Sequence, residues 1–280
     1  MNNDLKPKKR SALRIFAGKR LYILKRFIFW YFSKLKFTKT LSDEKLDFPV
    51  FSHSTPLFRD LQGVENIMQQ NKKVNLELAC RRISGIVLKP GETFSYWRLI
   101  GKPTKNKGYL PGMFLFYGKV GSRVGGGLCQ LSNLIYWTAL HTSLTVTERY
   151  RHSYDVFPDA GRTQPFGSGA TCVYNYRDLM IYNGTDCDFQ FNVSVEADKL
   201  RGEWRASLQP EFSYEVYEKA HSITHEPWGK YVRHNLICRK KINKEGLTVS
   251  DEFVAENHAL MMYEPYIDNQ KSAAADSSSR

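Results

Sequence analysis

The sequence predicts an α+β fold, and three observations support this prediction. Apolar residues at helical spacing dominate the N-terminal part, a Gly-rich turn near the middle leads into an amphipathic helix, and alternating patterns dominate from residue 170 onwards. We therefore expect N-terminal helices, a Cys-bearing central helix packed on a mostly antiparallel sheet, and a β-rich C-terminal half. With 280 residues the chain is long enough for one large domain with appendages.

The first 40 residues carry most of the positive charge. They hold twelve Lys or Arg and a single acid, Asp4, which accounts for +11 of the net charge of +13. Because the rest of the chain is nearly neutral, the charge does not indicate a basic surface across the domain. The sequence therefore disfavours nucleic acid as a partner.

Residues 11–37 are predicted to form one helix with an apolar side and a basic side. The apolar side consists of Leu13, Phe16, Ala17, Leu21, Leu24, Phe27, Ile28, Tyr31 and Leu35. The basic side contains Arg14, Lys19, Lys25, Arg26 and Lys36. Such a helix either lies on an anionic membrane surface or packs its apolar side on the core and leaves its basic side in solvent. The pattern leaves both alternatives open.

Three regions are expected along the chain. Residues 1–40 form the basic amphipathic segment, residues 41–256 form the folded domain, and residues 257–280 form a partly disordered tail. Inside the domain, residues 61–84 read as one or two helices, residues 93–99 as an aromatic strand and residues 144–150 as an alternating strand. Residues 157–169 read as a loop rich in Pro and Gly.

The cysteines indicate a reducing compartment. The five thiols form no CxxC pair and no Cys/His spacing typical of structural zinc, so we expect no metal and no cofactor. The sequence also shows no signal-peptide cleavage pattern and no apolar run long enough to span a bilayer. We expect a cytoplasmic protein that sits at the inner face of the membrane if residues 11–37 bind there.

The central feature is the run Gly125-Gly126-Gly127 before a predicted helix that contains Cys129. Three consecutive glycines imply positive φ or a close backbone approach. Cys129 falls in the first helical turn, where partial positive charge and unpaired N–H groups can lower a thiol pKa and bind an oxyanion. This position predicts a nucleophile. The alternative is a small buried cysteine beside a tight turn.

A cysteine nucleophile needs a base and a group that orients the base. His152 is the candidate base, because the strand after the helix can bring it back to the helix N-terminus. Asp155 is the candidate third group, with Asn175 or Asn183 as alternatives. Arg149 either binds a substrate carboxylate or pairs with a neighbouring acid. The remaining substrate-binding candidates are the three glycines with Gln130, Ser132 and Asn133.

Several motifs in a fixed order resemble the VanW family, whose members are associated with glycopeptide resistance clusters and bacterial cell-wall modules. The resemblance covers roughly residues 57–205. The motifs are Lys89-Pro90-Gly91-Glu92-Thr93-Phe94-Ser95-Tyr96-Trp97, the Gly-rich run with Cys129, Leu140-His141-Thr142, Glu148-Arg149, His152-Ser153, Gly169-Ala170-Thr171 and Asn183-Gly184-Thr185. One position departs from the family: an Asp often precedes the Ala-Thr pair, and here it is Gly169.

The resemblance implies one of two functions. Some family members are linked to L,D-transpeptidation with the cysteine of the Gly-rich motif as nucleophile. This implies a cysteine acyl-transfer enzyme, transpeptidase-like or an amide hydrolase, on peptidoglycan peptides or precursors. The second hypothesis is a non-catalytic accessory or binding module for cell-wall precursors at the cytoplasmic membrane surface.

Overall fold

The computed structural model describes residues 10–58, 66–116, 118–156 and 164–265, and it confirms the α+β class with a β-rich C-terminal half. The helices are α1 (Ala12–Phe32), α2 (Asn66–Ile83), α3 (Tyr96–Ile100) and α4 (Cys129–Leu140). A 3₁₀ turn spans Lys105–Lys107. The disorder predicted for the end of the tail concerns residues 266–280, which lie outside the described residues.

The strands form four sheets. They are β1 (Lys36–Phe37), β2 (Thr40–Leu41), β3 (Phe48–Pro56), β4 (Ile86–Leu88), β5 (Glu92–Ser95), β6 (Pro111–Phe116), β7 (Lys119–Val124), β8 (Thr145–Glu148), β9 (Tyr154–Asp155), β10 (Met180–Tyr182), β11 (Phe189–Val195), β12 (Lys199–Ala206), β13 (Ser213–Glu226), β14 (Lys230–Ile242) and β15 (Thr248–Met261). The sheet orders are β2-β4-β11-β12-β3, β1-β5-β10-β8, β13-β14-β15-β9 and β6-β7. Of the paired strands, β1 with β5 and β9 with β15 are parallel, and the others are antiparallel.

The main core lies between the five-stranded sheet and the helices α2 and α4. Apolar residues of α4 at helical spacing, including Leu131 and Leu134, are buried against this sheet together with Phe191 and Trp204. Burial of such side chains stabilises the fold by roughly 1.5–3 kcal/mol each. The helix of the Gly-rich motif is therefore fixed by its apolar face, and its opposite face is available to position polar groups.

The segment between α4 and residue 156 links two sheets. Strand β8 belongs to the small sheet with β10, whereas β9 pairs in parallel with Leu260 and Met261 of β15 in the C-terminal sheet. His152 lies between these two strands. Its position is consequently determined by both sheets.

Helix α1 faces the domain with a mixed side, on which Trp30 and Phe27 pack on the core beside Arg26. Arg26 and Trp30 are its buried residues, and Arg26 donates to both carboxylate oxygens of Glu148 at 2.8 and 2.5 Å. Burial alone would lower the pKa of Arg26, but the carboxylates of Glu148 and Asp178 raise it. Most of the apolar side remains exposed, so the alternative of a helix that buries its apolar side in the core is not what the structure shows.

Two further expectations differ from the structure. The aromatic strand predicted for residues 93–99 ends at Ser95, whose hydroxyl caps α3 by accepting from Arg98 N–H at 3.4 Å. An N-cap serine satisfies an N–H group that a helix start leaves without a partner, and here it redirects the chain. Strand β15 also continues to Met261, beyond the boundary placed at residue 256.

Candidate functional site

The Gly-rich turn is packed rather than open. Gly125 and Gly127 have φ of 76° and 90°, and a Cβ on Gly126 would overlap the carbonyl of Gly112. Asn75 of α2 donates to the Gly126 carbonyl oxygen at 2.9 Å and fixes the turn from behind. The backbone therefore requires these glycines, whatever their role toward a substrate.

Cys129 is the first residue of α4 and is exposed to solvent. Its sulfur accepts from the backbone N–H groups of Cys172 and of Cys129 itself, and both interactions lower the thiol pKa. Burial of the sulfur has the larger effect and raises the pKa overall. Exposure and burial are compatible here because the side chain opens to solvent on one side while the sulfur lies against the backbone of Cys172.

The raised pKa corrects the expectation of a thiolate stabilised by the helix N-terminus. The N–H groups of Gln130 and Leu131 donate to carbonyls at the helix start, at 3.1 Å each, so they are not directed at the thiol. Protein around the sulfur removes water, which disfavours the charged form. The resting cysteine is consequently a neutral thiol at neutral pH.

His152, in the segment between β8 and β9, lies against α4 at Asn133, which is one helical turn after Cys129. Its Nε2 is 3.2 Å from Asn133 Oδ1, and its Nδ1 is 2.8 Å from the hydroxyl of Thr171. Asn133 Oδ1 also accepts from Ala170 N–H at 2.9 Å, which fixes the amide orientation and assigns the imidazole proton to Nε2. Because Thr171 precedes Cys172, the imidazole and the thiol border the same short segment.

Gly169 makes the contact between His152 and Asn133 possible. A Cβ at this position would lie 2.7 Å from Asn133 Oδ1 and 2.8 Å from His152 Nε2. Contacts this short force a neighbour to move. The departure from Asp at this position therefore has a structural consequence: in this chain the imidazole occupies the space beside residue 169.

Arg149 holds residues 167–169, the segment that borders His152. Its guanidinium donates to the carbonyls of Gly169 at 2.9 Å and Gly167, and to Asn257 Oδ1 at 3.0 Å. It also lies 5.0 Å from the centroid of the Tyr136 ring. In the structure these contacts of Arg149 are to backbone carbonyls and an amide, not to a neighbouring acid.

Asp155 is buried and forms an ion pair. It pairs with Arg233 Nε at 2.9 Å and accepts from the Tyr263 hydroxyl at 2.7 Å. Of the two asparagines named as alternatives, Asn183 donates to the Leu88 and Cys187 carbonyls at 2.8 Å. Asn175 is fully buried. The contact on Nδ1 comes from Thr171, which belongs to a family motif but was not among the candidate orienting groups.

The polar face of α4 positions neighbouring segments. Ser132 is buried and donates to Ala170 O at 2.8 Å. Gln130 donates to Thr55 Oγ1 at 2.9 Å and to Pro56 O at 2.8 Å. These two candidates therefore hold backbone in place, and Asn133 is the one that contacts the imidazole.

Two residues that shape the site were not among the candidate site residues. Tyr96 donates to the Leu128 carbonyl at 2.9 Å, next to the start of α4, and Asn257 reaches Arg149 from the C-terminal sheet. Among the described residues, no group of three or more His, Cys, Asp or Glu side chains is arranged to hold a metal ion.

Residues 71–205 match the family described as VanW like protein. The chain is 34% identical over 195 residues to the vancomycin B-type resistance protein VanW of Enterococcus faecalis (strain ATCC 700802 / V583), which covers 70% of this chain and 71% of that protein. It is 29% identical over 140 residues to the uncharacterized protein YoaR of Bacillus subtilis (strain 168), which covers 50% and 45%. No solved structure matches the chain.

Proposed function

The chain belongs to the VanW family, and from this premise we propose that it is a cysteine-dependent acyl-transfer enzyme of glycopeptide resistance or cell-wall metabolism. Its substrates in this proposal are peptidoglycan peptides or their precursors. The observation that carries the proposal is an exposed thiol at the start of α4 together with the His152 imidazole, which contacts Asn133 on the next turn of that helix.

The proposed reaction follows from the protonation states. The thiol is neutral, so it needs a base at the moment of attack, and His152 is the nearby group that can take the proton. Sulfur attack on an amide carbonyl gives a tetrahedral oxyanion. Its collapse releases the amine, which receives the proton from the imidazolium, and leaves a thioester on Cys129. Water or a second amine then displaces the thioester in a hydrolase or a transpeptidase, respectively.

Each residue has a defined part in this scheme. Asn133 and Thr171 orient the imidazole, and the N–H groups of Cys129 and Cys172 favour negative charge at the sulfur. Because Thr171 occupies Nδ1, the base must exchange this contact, or relay the proton through the hydroxyl, when substrate binds. Apo contacts of catalytic groups often rearrange in this way.

The substrate pool depends on the compartment. In this proposal the protein works at the inner face of the membrane, where it meets precursors rather than assembled wall. Its five free cysteines are typical of a reducing compartment. This location favours hydrolysis of precursor peptides over cross-linking.

A second candidate is a binding module that recognises precursors without turnover. The raised pKa of Cys129 and the carboxylate of Asp155, committed to Arg233, favour it. In this function the surface around the exposed Cys129 binds the peptide, and Cys129 contributes shape rather than chemistry.

Mass spectrometry of the full chain with soluble precursor peptides distinguishes the two candidates. An acyl-enzyme should add the acyl mass to Cys129 after acid quenching, and Cys129→Ser should abolish turnover. Cys187→Ala is the matched control, because Cys187 is a half-buried thiol outside the site, and it should retain activity.

His152→Ala tests whether His152 acts as the base or has only a structural role. It should reduce turnover by roughly 10²–10⁴-fold while Cys129 remains open to alkylation at high pH. Binding of the peptides without any acyl adduct or product would contradict the enzyme and leave the binding module.

A further inference from the structure

Helix α1 presents an apolar surface that the domain does not cover. Leu13, Tyr31 and Phe32 are 77%, 71% and 82% exposed, and Leu24 and Ile28 are at least half exposed. The buried residues Arg26 and Trp30 lie on the opposite side, where Arg98 donates to the Trp30 carbonyl at 3.2 Å. The domain thus binds the helix through Trp30 and the Arg26–Glu148 ion pair and leaves most of its apolar residues in solvent. Exposed apolar surface of this extent indicates an interaction site.

Basic side chains border this surface. Arg14, Arg20, Lys25 and Lys34 are exposed and form no ion pair with any residue in the described ranges. The guanidinium of Arg20 lies 5.1 Å from the Phe16 ring centroid, so charge and aromatic surface occur side by side. Apolar and aromatic side chains flanked by Lys and Arg are the composition of helices that lie at a membrane interface.

More positive charge lies where the domain meets the first half of α1. Burial and the nearby charges of Arg123, Arg20 and Lys102 lower the pKa of Lys19. These cations come from three different parts of the chain, and they repel one another unless an anion lies between them. Arg123 is two residues before Gly125, so this basic cluster adjoins the turn that precedes Cys129.

We propose that α1 is an interfacial anchor that holds the folded domain on an anionic phospholipid bilayer. Its exposed apolar side enters the boundary between headgroups and acyl chains, and its flanking cations bind the phosphates. No helix in the described ranges is both long and apolar enough to cross a membrane, so the contact is with one face of the bilayer. The proposal does not depend on acyl-transfer activity.

The positive charges of α1 favour a bilayer over a second copy of the chain as its partner. Two α1 surfaces placed face to face would bring at least eight unpaired cations together, which opposes self-association. An anionic surface instead attracts them by about 1 kcal/mol for each Lys or Arg.

Flotation of the full chain with vesicles tests the anchor. Vesicles of phosphatidylcholine with phosphatidylglycerol should bind the protein, and binding should weaken as salt is added. Arg20→Gln combined with Lys25→Gln should reduce the partition coefficient about thirtyfold, which corresponds to ~1 kcal/mol for each charge. Lys230→Gln combined with Lys244→Gln removes the same charge from the C-terminal sheet and should have little effect.

The apolar contact has its own variant. Leu24→Gln combined with Ile28→Gln should reduce binding at least tenfold, whereas Leu247→Gln combined with Phe253→Gln alters two equally exposed apolar residues elsewhere and should not. Circular dichroism checks that all variants remain folded. Equal binding to vesicles of phosphatidylcholine alone, or a stable dimer that Leu24→Gln and Ile28→Gln dissociate, would overturn the proposal.

Discussion

At the scale of single residues, the site is defined by what surrounds the thiol and the imidazole. Cys129 is exposed, yet burial of its sulfur raises its pKa, and two N–H groups do not reverse this. A thiol of this kind is accessible but unreactive until a base approaches. In the proposed reaction, its activation therefore depends on His152 rather than on the helix N-terminus.

Alkylation measures both properties of Cys129. It should be modified before Cys80, Cys172 and Cys238, which are buried, but only slowly at neutral pH. Its rate should continue to rise with pH above the ordinary thiol pKa of about 8.5. Treatment with iodoacetamide at several pH values, followed by peptide mapping, tests this. A rate that is already maximal near neutral pH would show instead a lowered pKa.

Gly169→Ala should displace His152. The added Cβ lies 2.8 Å from Nε2, so the ring must leave Asn133, and Ala170 N–H competes for the same amide oxygen. We expect a loss of about 1–3 kcal/mol in the free energy of unfolding and a loss of turnover. Gly18→Ala is the control, because its Cβ meets nothing within 4 Å. Unchanged unfolding and activity in Gly169→Ala would refute the steric role of Gly169.

At the scale of elements, one buried carboxylate joins three of them. Asp178, just before β10, accepts from the Ser95 hydroxyl at 2.5 Å and from Trp97 N–H at 2.9 Å, where β5 becomes α3. Burial raises the pKa of Asp178 to about 7. This junction is the reason why the predicted aromatic strand turns into a helix.

The pH dependence of stability should reveal the raised pKa of Asp178. Between its unfolded pKa of about 4 and its folded pKa of about 7, the folded protein binds more protons than the unfolded chain. The free energy of unfolding therefore falls as the pH rises through this window. Asp178→Asn lacks this loss, so its stability relative to the native chain should improve from about pH 5 to about pH 8.

Urea denaturation at each pH provides the measurement for Asp178. Asp186→Asn, at an exposed position in the turn before β11, controls for the loss of one charge and should show a difference that does not vary with pH. A difference for Asp178→Asn that is also independent of pH would mean that the buried carboxylate keeps an ordinary pKa.

At the scale of the whole molecule, the C-terminal sheet supports the site although it lies outside residues 71–205, which match the family. Asn257 of β15 accepts from Arg149 and donates to Asn235 Oδ1 at 3.0 Å. Arg149 in turn binds the carbonyls on either side of Ser168. The site is consequently assembled by two regions that are distant in sequence.

Asn257→Ala tests this long-range support. It removes one hydrogen-bond partner from Arg149 and the Asn257 donor from Asn235 Oδ1, which should cost about 1–3 kcal/mol in the free energy of unfolding. Because Arg149 then holds residues 167–169 less firmly, the pH profile of Cys129 alkylation should change as well. Thr248→Ala, at the exposed start of the same strand, should change neither property. A loss of stability with an unchanged alkylation profile would show that Asn257 stabilises the C-terminal sheet without supporting the site.

The sequence by itself determined the local features of this protein. The Gly-rich turn, the amphipathic helix after Cys129 and the strand that returns to His152 follow from glycine stereochemistry and apolar spacing, which act over a few residues. Tertiary structure decided the rest. Arg26 turns α1 toward Glu148, Thr171 and Asn133 hold His152, and Asn257 supports Arg149. These contacts join residues far apart in the chain, and the proton affinity of Cys129 depends on the protein packed around it, so no local pattern encodes them.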